Sequence, residues 1–147
     1  MFQQILLARA AEMGVSMTPD QAAQFERYHE MLADANARMN LTRVPGEARE
    51  AIDRNYLDCV APLAGCLPRA EGFPDVETAV DVGSGAGFPG IPLAIMLPSV
   101  RFTLIDALAK RVDFLRSVID ELGLNAEALH LRAEDAARQG EDRKSVV

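Results

Sequence analysis

Residues 79–91 read Ala-Val-Asp-Val-Gly-Ser-Gly-Ala-Gly-Phe-Pro-Gly-Ile. A short apolar run ends at Asp81 and breaks into alternating glycines, and an apolar helical pattern follows. No other segment constrains the fold as strongly. Glycine removes the Cβ that would block close approach of a ligand and permits positive φ. The helix behind such a turn aims its unpaired N–H groups at whatever occupies it.

The flanking pattern fits that start. Thr78–Val82 predicts a short buried strand, 90–97 an apolar helix ended by Pro98, and 101–105 a second strand. Leu108–Leu122 predicts an amphipathic helix with Val112, Leu115, Val118, Ile119 and Leu122 inward, stopped by Gly123. Residues 128–131 predict a third strand, 133–138 a helical turn, and Ser145-Val146-Val147 the beginning of a fourth strand. Short apolar strands alternating with helices make a parallel sheet with right-handed crossovers. Its ligand crevice lies at the carboxyl ends of the strands.

The first half reads differently. Residues 2–13 predict a helix closed by Gly14. Thr18-Pro19-Asp20-Gln21 is a helix start, with Thr as N-cap, Pro at the first position and Gln completing a capping box. Behind it Phe25, Tyr28, Leu32, Ala35 and Met39 recur on one face. A third helical pattern covers 47–66, bent at Pro62, and 68–77 reads as a connector. The expectation is an α/β protein: a helical cap at 1–67 and a Rossmann-like core at 78–147 with an incomplete parallel sheet. An uncovered edge on the first strand invites pairing with another copy, so a shortened chain or a strand-pairing dimer is expected.

Composition narrows the class. The 147 residues are 49% hydrophobic and 25% charged, with a net charge of −7. A broadly acidic chain is a poor general attractor for nucleic acid, so any RNA contact must come from local basic groups. Arg38, Arg43, Arg49 and Arg54 form one such group, although acids between them make helix-surface ion pairing the default. Lys110, Arg111 and Arg116 form another. No apolar run is long enough for a membrane span, and the first residues lack a signal-peptide pattern, so a cytoplasmic protein is expected. Cys59 and Cys66 read as buried reduced thiols rather than a disulfide or metal pair, and no metal site is expected. His29 and His130 read as structural.

Two ligand patterns overlap in the glycine loop. Gly83, Gly85 and Gly87 give Asp-x-Gly-x-Gly-x-Gly, common where S-adenosylmethionine is held. Gly85, Gly87 and Gly90 also satisfy the dinucleotide fingerprint. Asp106, at the end of the second strand, suits either, because a carboxylate accepts both ribose hydroxyls; it could also cap the helix after it. The fingerprint starts late relative to the strand, and Pro89 removes an amide that a pyrophosphate would use. The balance favours S-adenosylmethionine. An NAD-type oxidoreductase, a non-catalytic adenosyl- or nucleotide-binding module and a plain structural turn stay open.

Further motifs follow in order: Asn40-Leu41-Thr42, Arg54 with Leu57-Asp58, Asp81-Val-Gly-Ser-Gly-Ala-Gly-Phe-Pro-Gly-Ile-Pro-Leu-Ala-Ile95, Leu104-Ile-Asp-Ala-Leu-Ala-Lys-Arg-Val-Asp-Phe-Leu115, and Arg132-Ala-Glu134. Across residues 18 to 138 the chain resembles the ribosomal RNA small subunit methyltransferase G family, also called glucose-inhibited division protein B. The resemblance implies methylation of guanine N7 in 16S ribosomal RNA, on the small ribosomal subunit, with S-adenosylmethionine as cofactor. It implies a cofactor site made of Asp81, Gly83, Ser84, Gly85, Gly87, Phe88, Asp106, Ala107, Ala133 and Glu134. Gly83 and Phe88 would line the methionine end, Asp106 the ribose, and Ala133 with Glu134 the adenine. Asn40, Lys110 and Arg111 would face the RNA. The family usually carries His where this chain has Asn55, so no catalytic residue is assigned. The family also continues into a fourth strand with an Arg near the cofactor, so this chain alone is expected to be an inactive fragment.

Overall fold

The computed structural model describes residues 1–39, 48–63 and 77–139. The chain falls into two compact units, Met1–Pro74 and Asp75–Val147.

The first unit is helical. Helix α1 (Phe2–Glu12) buries Phe2, Leu6 and Ala10. Helix α2 (Pro19–Met39) buries Ala22, Phe25, Tyr28, Leu32 and Ala35, the stripe that its spacing predicts save Met39. Its start is the expected reciprocal capping box. The Gln21 N–H donates to Thr18 Oγ1 at 3.1 Å, and the Thr18 N–H donates to Gln21 Oε1 at 2.9 Å.

The third helical pattern is broken. A short helix α3 (Ala48–Ala51) widens into a π-helical turn, Ile52–Tyr56, before α4 (Leu57–Val60) and a 3₁₀ turn, Ala61–Leu63, that contains Pro62. The wide turn keeps both Ile52 and Tyr56 in the core. Tyr56 sits among Phe2, Phe25, Tyr28 and His29, with Phe2 stacked on the His29 ring at 5.1 Å. His29 Nδ1 and the Tyr56 hydroxyl share a hydrogen bond of 2.6 Å. Burial lowers the His29 pKa, against the pull of Glu30 and Glu26, and raises that of Tyr56. Burial thus favours the neutral form of both rings near pH 7. The Arg9 guanidinium donates to Asp53 at 2.8 Å and joins α1 to the π turn.

The second unit is α/β. Strands β1 (Thr78–Val82), β2 (Arg101–Asp106) and β3 (Ala126–His130) lie in the order β1-β2-β3, all parallel. Strand β3 starts two residues before its apolar pattern, because Ala126 and Glu127 are already in register with Phe102 and Thr103. Helix α5 (Gly90–Met96) is buried at every position. Helix α6 (Ala109–Leu122) buries Val112, Phe114, Leu115, Val118 and Ile119. Phe114 is inside, whereas Leu122 is only half-buried at the end of the helix. Gly123, at φ +63°, closes α6 in the left-handed conformation. Helix α7 (Ala133–Gln139) follows β3. The second unit is a Rossmann-like α/β core with a parallel sheet, and the first unit is helical, as the α/β expectation has it. The expected fourth strand, with Asn40 and Cys66, lies outside the described residues; Cys59 is a reduced, half-buried thiol.

Candidate functional site

The glycine loop stands at the carboxyl end of β1 and is tied to β2. In the register, Val82 faces Ile105. The Ile105 carbonyl then accepts both the Gly83 N–H at 2.8 Å and the Ser84 N–H at 3.0 Å. The Ser84 hydroxyl donates to the Asp81 carbonyl at 3.0 Å, and the Gly87 N–H to the Ser84 carbonyl at 2.8 Å. The Gly85 N–H donates to Asp106 Oδ2 at 2.9 Å, and the Gly90 N–H to Asp81 Oδ2 at 3.0 Å. Five amides of the loop thus have acceptors inside the protein.

Gly83 and Gly85 have φ of +75° and +59°. A Cβ built on either would meet no atom within 4 Å. The outer side of the loop is open space faced by bare main chain.

Asp106 and Asp81 hold the loop from two sides. Asp106 is 4% exposed. Its Oδ1 accepts the Leu108 N–H at 2.9 Å and its Oδ2 accepts that of Gly85. It therefore joins the end of β2, the start of α6 and the glycine loop. The Arg111 guanidinium lies 3.8 Å from the same Oδ2, while Arg111 Nε is buried without a hydrogen-bond partner. Lys110 is exposed on the first turn of α6.

Asp81 lies beneath the loop. Burial pushes its carboxyl up to about 6 from the usual 3.8, against the Ser84 hydroxyl and the Gly90 N–H, with nearby Asp106 adding to the rise. A raised carboxyl means that the folded chain keeps a proton the unfolded chain has already lost. The Asp81 contribution to stability is therefore largest below about pH 4, falls by on the order of 3 kcal/mol as pH rises to about 6.5, and is flat beyond. Asp81→Asn keeps an acceptor for Gly90 but does not titrate. Urea unfolding is expected to show the two proteins close in stability near pH 4 and Asp81→Asn the more stable near pH 7.5. A gap that stays constant with pH would refute this.

The remaining cofactor-site residues named from the sequence lie toward the same sheet end. Ala107 is exposed immediately after Asp106. The Leu131 N–H donates to the Asp106 carbonyl at 3.1 Å, and the exposed Ala133 and Glu134 open α7 two residues later. Phe88 is half-buried in the loop itself.

The family model for GidB, rRNA small subunit methyltransferase G, matches residues 21–147. This chain belongs to that family. Ribosomal RNA small subunit methyltransferase G of Clostridium perfringens (strain 13 / Type A) is 38% identical over 142 residues, covering 95% of this chain and 57% of the relative. The protein of that name from Pelotomaculum thermopropionicum is 43% identical over 136 residues, covering 92% and 54%. That of Geobacillus thermodenitrificans is 40% identical over 139 residues, covering 94% and 56%. The chain spans about half the length of the curated relatives it matches.

Within this methyltransferase G frame, nothing in the sequence marks two exposed apolar residues at the strand ends, and a third residue there, His130, reads from sequence as structural. Val82 and Leu108 are large apolar side chains left 37% and 44% exposed beside the loop. Leu108 was counted into the amphipathic pattern of α6, although it stands before the first helical turn. His130 ends β3 in register with Asp106, and its Nε2 lies 2.8 Å from the Ala107 carbonyl. Of the first arginine group, Arg54 pairs with the interleaved Glu50 at 2.9 Å, and Arg38 pairs with Asp34, one turn back on α2, at 3.0 Å. Among the described residues, no helix is long and apolar enough to cross a membrane.

Proposed function

We propose that the second unit binds S-adenosylmethionine and that the protein containing it methylates guanine N7 in 16S ribosomal RNA of the small subunit. The observation that carries the cofactor assignment is the use of the loop amides. Gly83, Ser84, Gly85, Gly87 and Gly90 all donate to acceptors inside the protein. A pyrophosphate needs such amides for itself. A phosphate-free adenosyl ligand does not, and the open space over Gly83 and Gly85 suits a close-fitting ligand.

Asp106 would take the ribose. A carboxylate offers about four lone-pair positions. Two amides fill two of them, so hydroxyl donors still find acceptors on a group already held in place. Asp81 and Ser84 shape the loop from below, and Gly87 lets it turn. Gly83 and Phe88 would meet the methionine end. Ala107, Ala133 and Glu134 would border the adenine, with Leu108 as an apolar wall. Asn40, Lys110 and Arg111 would face the RNA. A cation in the first turn of α6 opposes the helix dipole, which a nearby phosphate would relieve.

Bound S-adenosylmethionine supplies an activated methyl group on a sulfonium. Guanine N7 already presents a lone pair, so no side chain has to remove a proton. The protein's work is alignment and exclusion of water, and no general acid or base is assigned.

Calorimetry with S-adenosylhomocysteine and NAD tests the cofactor. The chain is expected to bind the adenosyl compound and not NAD; binding of NAD alone would overturn the assignment. Asp106→Ala is expected to weaken adenosyl binding by roughly 1–3 kcal/mol, about five- to a hundred-and-fiftyfold. Unchanged affinity would leave Asp106 as a structural tie between α6 and the glycine loop. The longer relatives, assayed for methyl transfer to guanine in small subunits, test the substrate.

A further inference from the structure

We infer that His130 is a positioning residue for the adenosine half of the site. The inference rests on the cofactor reading above.

The argument starts from one peptide unit. The Ala107 carbonyl and the Leu108 N–H belong to the same planar amide. Its carbonyl faces His130 Nε2 at 2.8 Å. Its N–H donates to Asp106 Oδ1 at 2.9 Å. His130 and Asp106 therefore grip the two ends of one rigid plate. The plate cannot rotate without breaking both bonds. A carbonyl only accepts, so Nε2 carries the proton and donates.

The anchor at the other end is firm. His130 is the last residue of β3 and lies opposite Asp106 in the parallel register. One residue on, the Leu131 N–H holds the Asp106 carbonyl at 3.1 Å. Strand β3 thus holds the Asp106–Leu108 turn at two successive carbonyls, one through its backbone and one through an imidazole. The backbone tie would form whatever residue stood at 130. The side-chain tie depends on that residue alone.

What the plate controls is the carboxylate. If the 107–108 amide turns, Oδ1 loses its donor and the Asp106 side chain is left with Gly85 alone among its backbone donors. Ala107 and Leu108 lie on the exposed rim, so the carbonyl can turn to water at little cost. The carboxylate would then no longer be held in one orientation for the ribose hydroxyls. His130 is itself exposed and is not among the buried core residues. Its loss should be felt in ligand affinity before it is felt in stability.

Two measurements on the chain test this. In the ligand-free protein, hydrogen exchange at the Leu108 amide is expected to speed up severalfold in His130→Ala. His130→Gln should restore it, because the glutamine Nε2 reaches about where the imidazole Nε2 stands; His130→Asn, which is shorter, should not. In calorimetry, His130→Ala is expected to weaken S-adenosylhomocysteine and 5′-methylthioadenosine by the same factor, about five- to tenfold, with Gln again restoring affinity. Both ligands carry the ribose and adenine, and only the first carries the amino-acid end. Equal affinities in wild type and His130→Ala, or unchanged Leu108 exchange, would overturn the inference while leaving the cofactor reading intact. So would a fall in thermal midpoint that tracks affinity and that Gln does not repair. Failure of the unsubstituted chain to bind either ligand would overturn the cofactor reading, and this inference with it.

Discussion

Replacing Gly90 with alanine is expected to destabilise the second unit by roughly 3–6 kcal/mol, from overpacking together with loss of a hydrogen bond to a carboxylate. Backbone strain is not the reason, since Gly90 is not among the glycines at positive φ. The reason is space. A Cβ there would stand 2.3 Å from Leu104 Cδ2 and 2.6 Å from Asp81 Oδ2. Leu104 is fully buried in β2 and Asp81 is 2% exposed in β1, so neither has room to retreat. If Asp81 yields, it leaves the Gly90 N–H and an ionised carboxyl without that donor in the interior. If Leu104 yields, β2 loses its packing against α5. Urea unfolding checks the magnitude. The double variant Gly90→Ala, Leu104→Ala checks the cause, because removing the obstructing methyl should make the pair less damaging than the sum of its parts. Strict additivity, or a single-variant loss below about 1 kcal/mol, would mean that α5 can move away from the sheet.

What could be read from the sequence was what one residue and its near neighbours decide. The capping box at Thr18 and Gln21 is such a case, and so is the Gly123 stop, because a cap needs only a few consecutive residues. The glycine loop was legible because three glycines in alternation mark a turn whose backbone runs through positive φ, where other residues are strained. The parallel sheet followed from alternation of strand and helix patterns. The π-helical turn at Ile52–Tyr56 was not legible. It answers to where Tyr56 finds Phe2, Phe25 and His29, which come from two other helices. The exchange of Leu122 for Phe114 on the inner face of α6 has the same origin, since helical spacing admits both and the sheet chooses. At the site, Asp106 could be proposed from its strand-end position. Its tie to the start of α6, two residues on, is the capping role the sequence also offers, whereas its tie to the Gly85 amide could not be read because that residue sits 21 residues back. The His130 tie to Ala107 spans 23 residues and leaves no local signature.

Placing valine at Gly85 is expected to reduce adenosyl binding by more than about a hundredfold, which is about 3 kcal/mol. The native residue has φ +59°, and its N–H holds Asp106 Oδ2 at 2.9 Å. A Cβ there points into open space, so no protein atom resists it. The cost to the fold is conformational, about 1–2 kcal/mol for an L residue in the left-handed region and more for a branched one. The cost to binding is occupation of the place proposed for the ligand. These two effects separate across a series. Tolerance for positive φ ranks Asn above Ala and Ala above Val. Side-chain size ranks Ala least, with Asn and Val both far larger. If the loop cups a ligand, thermal midpoints should follow the first order and affinities for S-adenosylhomocysteine the second. Gly85→Asn is then the decisive variant: close to wild type in stability and nearly devoid of binding. An asparagine variant that binds normally would mean that the ligand does not approach Gly85. Affinities that merely track the midpoints would mean that the loop acts through its shape and not as a contact surface.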